Sequence, residues 1–138
     1  NVFNITNALS NEKEIPFKEI EDINENEGEG IMYPSILEMW NRTSPGETFI
    51  RKSGATAVSH YKVNPNKVLN TIMASECGAF HYSKERHLTK NENCKAGTFP
   101  TDYDFIKNKS KYLIGMSVPP VMAAQIATEI YNQWLSKI

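Results

Sequence analysis

The C-terminal end of the chain carries its longest helical pattern, with an apolar side chain at every fourth position. That spacing puts the side chains on one face of an α-helix. Ser117 is a preferred N-cap residue, and Pro119 and Pro120 are compatible with a first helical turn. The sequence therefore predicts an amphipathic helix that runs to about Leu135. Its apolar stripe consists of Val118, Met122, Ile126, Ile130 and Trp134.

The central part of the chain, from Glu47 to Tyr82, consists of short β-rich runs instead. Turn-forming residues at Ser53-Gly54 and Asn64-Pro65-Asn66 separate these runs, which predicts the strands of a small, irregular sheet. The predicted strands are Thr48–Arg51, Ala57–Tyr61 and Val68–Met73.

Short helices are predicted before and after these strands in the sequence. Pro34 lies near the start of a helically spaced apolar set that ends at Trp40. Thr89 and Glu92 have the spacing of a capping box, and Gly97 is placed to end the helix that they begin. The stretch Asp104–Lys111 is predicted to be a solvated connection. The expected fold class is α+β: a small, irregular, β-rich domain with short helices and a C-terminal amphipathic helix.

The net charge of −1 conceals an uneven distribution. Residues 1–50 hold three basic and ten acidic residues, whereas residues 51–138 hold twelve basic and six acidic ones. A polyanionic partner is therefore favoured for the second part only, although an ordinary basic surface beside a solvated acidic loop gives the same pattern. The acidic segment 11–30 is predicted to be loop-like and to face solvent or another lobe of the protein, apart from one short helical turn docked by Ile15, Phe17, Ile20 and Ile23.

Other classes of protein are disfavoured by the composition. No run approaches 18 consecutive apolar residues, and no basic segment followed by an apolar one opens the chain, so neither a membrane span nor a signal peptide is predicted. Cys77 and Cys94 lack CxxC spacing, which favours a reducing compartment. Their spacing to the three histidines matches no familiar zinc pattern, and no metal site is predicted.

Two blocks in the last third of the chain carry a family resemblance. The first is Arg86-His-Leu-Thr-Lys-Asn-Glu92 followed by Phe99-Pro-Thr-Asp-Tyr103, and the second is Ile114-Gly-Met-Ser-Val-Pro-Pro-Val-Met122. They resemble motifs IX and X of the DNA cytosine-5 methyltransferases, in the right order. The pair Thr71-Ile72 resembles the Thr-Ile dyad of that family's target-recognition region. Met116 departs from the pattern, because motif X has an asparagine at this position.

The resemblance implies a role for each block. Motif IX would organise the recognition region, through Arg86, Glu92, Phe99, Pro100, Asp102 and Tyr103. Motif X, with Gly115, would leave that region and pack on a catalytic lobe beside the S-adenosylmethionine pocket, with Met116 and Ser117 near the cofactor. The loop after Thr71 would approach DNA near the target base, and the basic loop after residue 50 would be a second contact. The candidate DNA contacts are Arg51, Lys52, Ser53, Thr56, His60, Lys62, Thr71, Ile72, Ser75 and Glu76.

The blocks that carry the chemistry of that family have no counterpart in this sequence. They are its glycine-rich cofactor loop, its Pro-Cys nucleophile, its Glu-Asn-Val block and its Gln-x-Arg-x-Arg block. Neither Cys77 nor Cys94 follows a proline, so no catalytic residue is assigned and the chain by itself is expected to be inactive. The resemblance implies a target-recognition region over residues 1–85 and a segment with motifs IX and X over residues 86–138.

The leading hypothesis is therefore the DNA-reading part of a cytosine-5 methyltransferase of a prokaryotic or phage restriction–modification system in the cytoplasm. Its expected partners are double-stranded DNA and a catalytic lobe or subunit, with self-association through the last helix as a further expectation. One alternative is a non-catalytic DNA-binding or interaction module derived from such an enzyme, which the methionine at position 116 favours. The other is a small α+β domain without a nucleic-acid role.

Overall fold

The computed structural model describes residues 13–75 and 78–138. In this part of the chain the helices are α1 (Phe17–Ile20), α2 (Pro34–Asn41), α3 (Lys90–Ala96), α4 (Ser110–Gly115) and α5 (Pro120–Gln133). A short 3₁₀ turn, Leu135–Lys137, follows α5. The strands are β1 (Thr48–Ile50), β2 (Thr56–Lys62) and β3 (Gly78–Phe80). The predicted α+β class is confirmed, as are the helix at Pro34 and the first two strands.

The three strands form one mixed sheet in the order β1-β2-β3. β1 and β2 are antiparallel, whereas β2 and β3 are parallel. The β1–β2 register shifts between Thr48, which pairs with Tyr61, and Ile50, which pairs with Thr56. This irregularity contains Ser59, whose φ of 88° is unusual for a residue other than glycine. The turn between the two strands closes at Gly54, with a φ of 81°.

The third predicted strand, Val68–Met73, is wrong: this stretch is irregular, and the third strand is Gly78–Phe80. The apolar side chains of the stretch pack in two places instead of on a neighbouring strand. Leu69 contacts the cluster of Phe17, Val63 and Leu88. Ile72 contacts the cluster of Cys94, Phe105 and Ile114. The stretch Val68–Met73 is apolar because its side chains join two clusters of the core. Its conformation is set by these contacts and not by β-propensity alone.

The acidic segment packs on the rest of the fold. The predicted helical turn is present as α1, where Phe17 is fully buried and Ile20 is partly buried, although Ile15 and Ile23 are exposed. Backbone hydrogen bonds join Phe17 N to the carbonyl of Lys67 (2.9 Å) and Glu29 N to that of Leu88 (2.9 Å). The predicted irregular conformation is confirmed for residues 21–30, but the segment does not simply face solvent, since its backbone is hydrogen-bonded to distant parts of the chain.

The stretch before α4 is also more buried than predicted. Phe105 is 5% exposed, and Ser110 and Lys111 at the start of α4 are buried. The expected solvated connection is therefore wrong at its two ends. The polar sequence of this stretch does not indicate burial, because the partner of Ser110 comes from a distant segment. Ser110 N donates to the carboxylate of Glu29 at 3.0 Å.

Helix α5 begins at Pro120, and Ser117 is not its N-cap. The Ser117 hydroxyl instead donates to the carbonyl of Ile114, in the last turn of α4, at 2.8 Å. No residue of α5 is buried. Of the predicted stripe, Val118, Met122 and Trp134 are exposed and Ile126 and Ile130 are partly so, which confirms that the apolar face is uncovered in this chain.

The stretch 110–137 is long and apolar enough to cross a membrane by length and composition alone. This is weak evidence, since a helix built to cover another protein surface has the same composition. The two helices in this stretch are separate, with Pro119 and Pro120 at the start of the second.

Candidate nucleic-acid interface

A buried ion pair lies at the centre of the motif IX block. Arg86 Nη1 donates to Glu92 Oε2 and Arg86 Nη2 to Glu92 Oε1, both at 2.8 Å. The exposed fractions of the two side chains are 4% and 0%. Two parallel hydrogen bonds between a guanidinium and a carboxylate fix the relative orientation of the two residues as well as neutralising their charge. The predicted framework role of this pair is thus supported by geometry.

The same carboxylate caps helix α3. Thr89 N donates to Glu92 Oε2 at 2.9 Å, and Glu92 N donates to the Thr89 hydroxyl at 3.0 Å, so the predicted capping box is confirmed. Asp22 N, from the acidic segment, donates to Glu92 Oε1 at 3.1 Å. Burial acts to raise the pKa of Glu92, but the hydrogen bonds from Arg86, Thr89 and Asp22 outweigh it and hold this pKa below its usual value.

His81 extends the network on its other side. Its Nδ1 accepts hydrogen bonds from the backbone N–H groups of Ser83 (3.1 Å) and Lys84 (3.0 Å). The proton of a neutral ring therefore lies on Nε2, which is 3.0 Å from Glu21 Oε1. Burial lowers the pKa of His81, and the nearby charge of Arg86 lowers it further, so the imidazole is neutral at pH 7. Tyr82 donates its hydroxyl to the other oxygen of Glu21 at 3.0 Å.

The carboxylate of Glu29 completes the attachment of the acidic segment. It accepts hydrogen bonds from the backbone N–H and the hydroxyl of Ser110 and, at 3.1 Å, from the Asn93 side chain. Gly28 lies against the backbone of His87, where a Cβ would overlap the carbonyl group. The acidic segment thus holds α3, α4 and the strand–loop region around His81 together, through Glu21, Asp22 and Glu29. The network orients backbone and contains no group that is free to act as a catalyst.

No site for a metal ion is evident among residues 13–75 and 78–138, where no three His, Cys, Asp or Glu side chains are grouped suitably. Cys94 is fully buried, and burial raises the pKa of its thiol. A thiol with these properties is a poor nucleophile.

The basic loop between β1 and β2 is exposed. Arg51, Lys52, Ser53 and Thr56 all face solvent in a turn closed by hydrogen bonds between Arg51 and residues 54 and 55. Lys52 Nζ lies 3.0 Å from Glu38 Oε2, but both side chains are largely exposed. Such a surface pair contributes little, so the lysine can exchange its carboxylate partner for a phosphate at small cost.

Two candidates from the adjoining strand do not lie at this surface. Lys62 is 6% exposed, and its Nζ is 3.6 Å from the centre of the Trp40 ring. Burial lowers the pKa of this amine. The ring of His60 is stacked on Phe80, with centroids 5.7 Å apart. The prediction that Lys62 belongs to the exposed basic loop is wrong, since its side chain is buried on Trp40, and this geometry does not favour Lys62 or His60 as a direct DNA contact.

The irregularity at Ser59 explains this error. Side chains alternate between the two faces of a regular strand, so Ala57 in the core would put His60 and Lys62 on the opposite face. The extra residues in β2 reverse the alternation, and both side chains then join Ala57 on the core side.

The second candidate loop lies beside α4. Thr71 and Ser75 are exposed, whereas Ile72 is partly buried against Ile114 and its neighbours. Glu76 lies outside the described residues. The position of Ile72 indicates an anchoring role for its side chain and leaves the threonine hydroxyl as the accessible polar group of the pair.

A cleft of about 320 Å³ separates this loop from the junction of α4 and α5. Ser117, Pro119 and Met122 line one side, and Thr71 and Ile72 line the other. Met116 and Ser117 are exposed. The start of α5 offers few backbone N–H groups to an anion, because Ser117 N donates to Ile114 O, Pro119 and Pro120 carry no N–H, and Val121 N donates to Thr98. The role of Met116 and Ser117 in binding S-adenosylmethionine stays a prediction.

The remaining residues of the motif IX block form a small aromatic unit. Phe99 packs edge-on against Tyr103 at 5.4 Å, and Tyr103 packs on Phe105 at 4.9 Å. Tyr103 N donates to the carbonyl of Pro100, which closes the turn that contains Asp102. These contacts give Phe99, Pro100 and Tyr103 a structural role, and Asp102 is exposed in the turn.

The sequence reasoning missed Glu21, Asp22 and Glu29 as parts of this framework. Their partners are about 60 to 80 positions away in the chain. The only local signal was the pair Gly28 and Gly30, which both lie against His87.

Comparison with known proteins agrees with this picture. The family model of the C-5 cytosine-specific DNA methylases matches residues 3–132. The type II methyltransferase M.BbvI of Brevibacillus brevis is 31% identical over 87 residues, which are 59% of this chain and 23% of that protein. The putative type II methyltransferase M.MJ0563P of Methanocaldococcus jannaschii is 30% identical over 101 residues, 70% of this chain and 32% of that protein.

No solved structure matches the chain significantly. The chain spans between about a quarter and a third of the length of the two relatives. The family match extends through both candidate loops and through the two blocks of the last third, from residue 3 to the last turn of α5. This chain is a member of the C-5 cytosine-specific DNA methylase family.

Proposed function

We propose that this chain is the DNA-recognition part of a DNA (cytosine-5)-methyltransferase. The observation that carries the proposal is that the basic loop 51–56 and the hydroxyl-bearing residues Thr71 and Ser75 are exposed, on a chain whose Arg86–Glu92 pair is buried. A rigid support with exposed hydroxyl and basic groups on loops is the usual arrangement for reading a nucleic acid.

The exposed residues have distinct proposed roles. Arg51 and Lys52 contact phosphates, and the hydroxyl groups of Ser53 and Thr56 add hydrogen bonds to the same backbone. Thr71 contacts a phosphate near the target base. Ser75, with Glu76 beyond the described residues, addresses base edges, where a glutamate accepts from the amino group of cytosine. His60, Lys62 and Ile72 act indirectly, because their side chains hold the bases of these loops.

Methyl transfer requires groups that this chain does not provide. In the proposed enzyme a thiolate on the catalytic lobe would add to C6 of a flipped cytosine, and S-adenosylmethionine would supply the methyl group to C5, with S-adenosylhomocysteine as the leaving group; loss of the C5 proton and of the thiolate would then restore the ring. Cys94 is unsuited to this role, because it is buried and its thiol pKa is raised. We therefore propose that the segment alone is inactive and that the cofactor is bound mainly by the catalytic lobe, with Met116 and Ser117 at its edge.

Helix α5 is the proposed attachment to that lobe. Its uncovered face includes Met122 and Trp134, and none of its residues is buried. An exposed apolar face of this size marks a surface that another protein covers. Residues 86–138 would then link the recognition region to catalysis, although contacts such as the Phe80–His87 bridge cross the proposed boundary at residue 85. In the absence of the lobe, a second copy of the chain would cover the face by self-association.

The proposed setting is a prokaryotic or phage restriction–modification system in the cytoplasm. Its support is that both relatives are named type II methyltransferases. The alternative function is a DNA-binding module that no longer supports methylation. Its specific support is Met116, whose thioether cannot donate the hydrogen bonds of an asparagine.

A binding experiment tests the DNA-recognition proposal. The affinity of the chain for a duplex library is measured at salt concentrations from about 50 to about 300 mM. Over this range, binding that depends on phosphate contacts weakens steeply as salt is added. Arg51→Ala and Lys52→Ala are each expected to reduce the salt slope by about one unit. Lys18→Ala, an exposed lysine on α1, is the matched control and should leave the slope unchanged. Binding that does not depend on salt, or equal effects of all three variants, would contradict the proposal.

Reconstitution separates the enzyme from the non-catalytic alternative. The chain is mixed with a protein that supplies the glycine-rich loop and the Pro-Cys motif of the same enzyme, and radiolabelled methyl transfer to the duplex library is measured. The proposal expects transfer from the mixture and from neither component alone. Stable association and DNA binding without any transfer would favour the non-catalytic module.

A further inference from the structure

Gly115, the last residue of α4, lies directly against the backbone of the loop that carries Thr71. A Cβ atom at this position would be 2.5 Å from Ala74 N and 2.7 Å from the carbonyl carbon of Met73. Real Cβ atoms essentially never approach other atoms so closely. The backbone of Gly115 is not in the left-handed region, so glycine is required here for space and not for its conformational freedom.

Helix α4 cannot easily move away from this contact. At its start, Ser110 is held by the carboxylate of Glu29, which is also bound to Asn93 of α3. Near its end, Ile114 is buried and lies against Gly97, where a Cβ would be 2.5 Å from its Cγ2 atom. The helix is therefore held at its start by Glu29 and near its end by Gly97, and Ile114 also packs against Ile72 of the loop.

The loop, in contrast, has no strand partner. Residues 69–74 are anchored by Leu69 in the cluster around Phe17 and by Ile72 in the cluster around Ile114. The cleft of about 320 Å³ lies beside the loop, and its lining includes residues 69–72. Where the backbone of residues 72–74 lies is thus decided by how closely α4 approaches it.

We infer that Gly115 is a positioning residue for DNA recognition. It lets α4 set the place of the Thr71 loop. The inference rests on the proposed function, and it adds that the segment leading into α5 also determines where a DNA-contacting loop lies. A methyl group at position 115 displaces residues 72–74, because the fixed helix does not yield, and Thr71 is moved from its phosphate contact.

The test uses the complete methyltransferase that contains this chain and compares Gly115→Ala with Gly97→Ala. Both variants introduce a methyl group 2.5 Å from its nearest neighbour, but at Gly97 that neighbour is a methyl group of the Ile114 side chain, which can turn aside without moving α4, whereas at Gly115 it is the backbone of the loop. Thermal unfolding, kcat and KM for DNA are measured for each. Gly115→Ala is expected to raise KM for DNA roughly 3- to 30-fold, the usual range for a coupling residue, with a smaller change in kcat. Gly97→Ala is expected to lower the melting temperature and to leave KM within about twofold, well below the coupling range.

A double-mutant cycle with Thr71→Val separates positioning from general damage. If Gly115→Ala acts by moving Thr71, its effect on KM largely disappears in the Thr71→Val background. Glu29→Gln, which loosens the start of α4 without adding an atom, is expected to act in the same direction and to show the same dependence. If Gly115→Ala does not fold, the comparison of Glu29→Gln with and without Thr71→Val tests the inference in its place.

The outcomes distinguish this inference from the proposed function. If the unmodified enzyme binds DNA with the expected salt dependence but Gly115→Ala behaves as Gly97→Ala does, the inference is wrong and the proposed function stands. Multiplicative effects of the Gly115 and Thr71 changes, or of the Glu29 and Thr71 changes where Gly115→Ala does not fold, lead to the same conclusion. If the unmodified enzyme does not bind duplex DNA, both are overturned.

Discussion

Replacing Glu92 by glutamine tests the central claim about the framework, that a buried ion pair holds the recognition region together. The change keeps the shape of the side chain and removes its charge. Arg86, with 4% of its side chain exposed, then keeps its charge in the interior without a carboxylate. Breaking one partner out of a buried pair costs about 3–5 kcal/mol.

The other hydrogen bonds of Glu92 refine this estimate. The carboxylate also accepts from Thr89 N and Asp22 N, whereas a glutamine has a single acceptor oxygen and leaves one of these backbone groups without its partner. That loss adds about 1–3 kcal/mol. The total is a large part of the stability of about 5–15 kcal/mol that is usual for a domain. Glu92→Gln is therefore expected to leave the isolated chain close to unfolding.

Urea unfolding followed by circular dichroism measures the effect, with Glu38→Gln as the matched control. Glu38 belongs to the exposed pair with Lys52, and its replacement should cost less than about 1 kcal/mol. Adding Arg86→Met to Glu92→Gln removes the stranded charge and is expected to recover more than half of the loss. The reasoning is refuted if Glu92→Gln costs no more than Glu38→Gln, or if Arg86→Met makes it worse.

The same residue predicts a dependence on pH. Because the pKa of Glu92 is lower in the folded chain than its usual value near 4.5, its contribution to stability is complete above that pH. The contribution is lost as the pH falls through the lowered pKa. The urea midpoint of the unmodified chain should therefore fall below pH 4.5 more steeply than that of the Arg86→Met/Glu92→Gln double variant, and parallel profiles would contradict this assignment.

Three further predictions concern other parts of the molecule. The pKa of His81, measured by NMR titration, should lie below 6.5, so that its contribution to stability is lost as the pH falls below that value; a pKa of 6.5 or higher would exclude the neutral, buried ring. Lys62→Met should change the free energy of unfolding by less than about 1.5 kcal/mol, because the unbranched side chain of methionine still packs on Trp40. A smaller salt dependence of DNA binding in this variant would show that Lys62 contacts DNA after all. Trp134→Ser should weaken self-association of the isolated chain in sedimentation experiments, and an unmodified chain that stays monomeric at high concentration would contradict the expectation.

The sequence by itself determined the elements whose signals are local. The capping box of Thr89 and Glu92, the helix that begins at Pro34, the turn at Gly54 and the apolar stripe of α5 each depend on residues a few positions apart. Backbone hydrogen bonding and side-chain spacing within one or two turns fix such features, so a single sequence is enough to find them. The motif IX and X blocks likewise indicated the family before the fold was considered.

Only the tertiary structure decided the features that depend on distant partners. Lys62 is basic and follows a predicted strand, but the irregularity at Ser59 turns it onto Trp40 and away from solvent. Glu29 occurs in an acidic stretch that composition marks as solvated, yet its carboxylate binds Ser110. Burial of a charge is favourable only where another part of the chain supplies its partner. Because that partner is remote in sequence, neither hydropathy nor spacing can reveal it, and the same holds for the contact of Gly115 with the Thr71 loop.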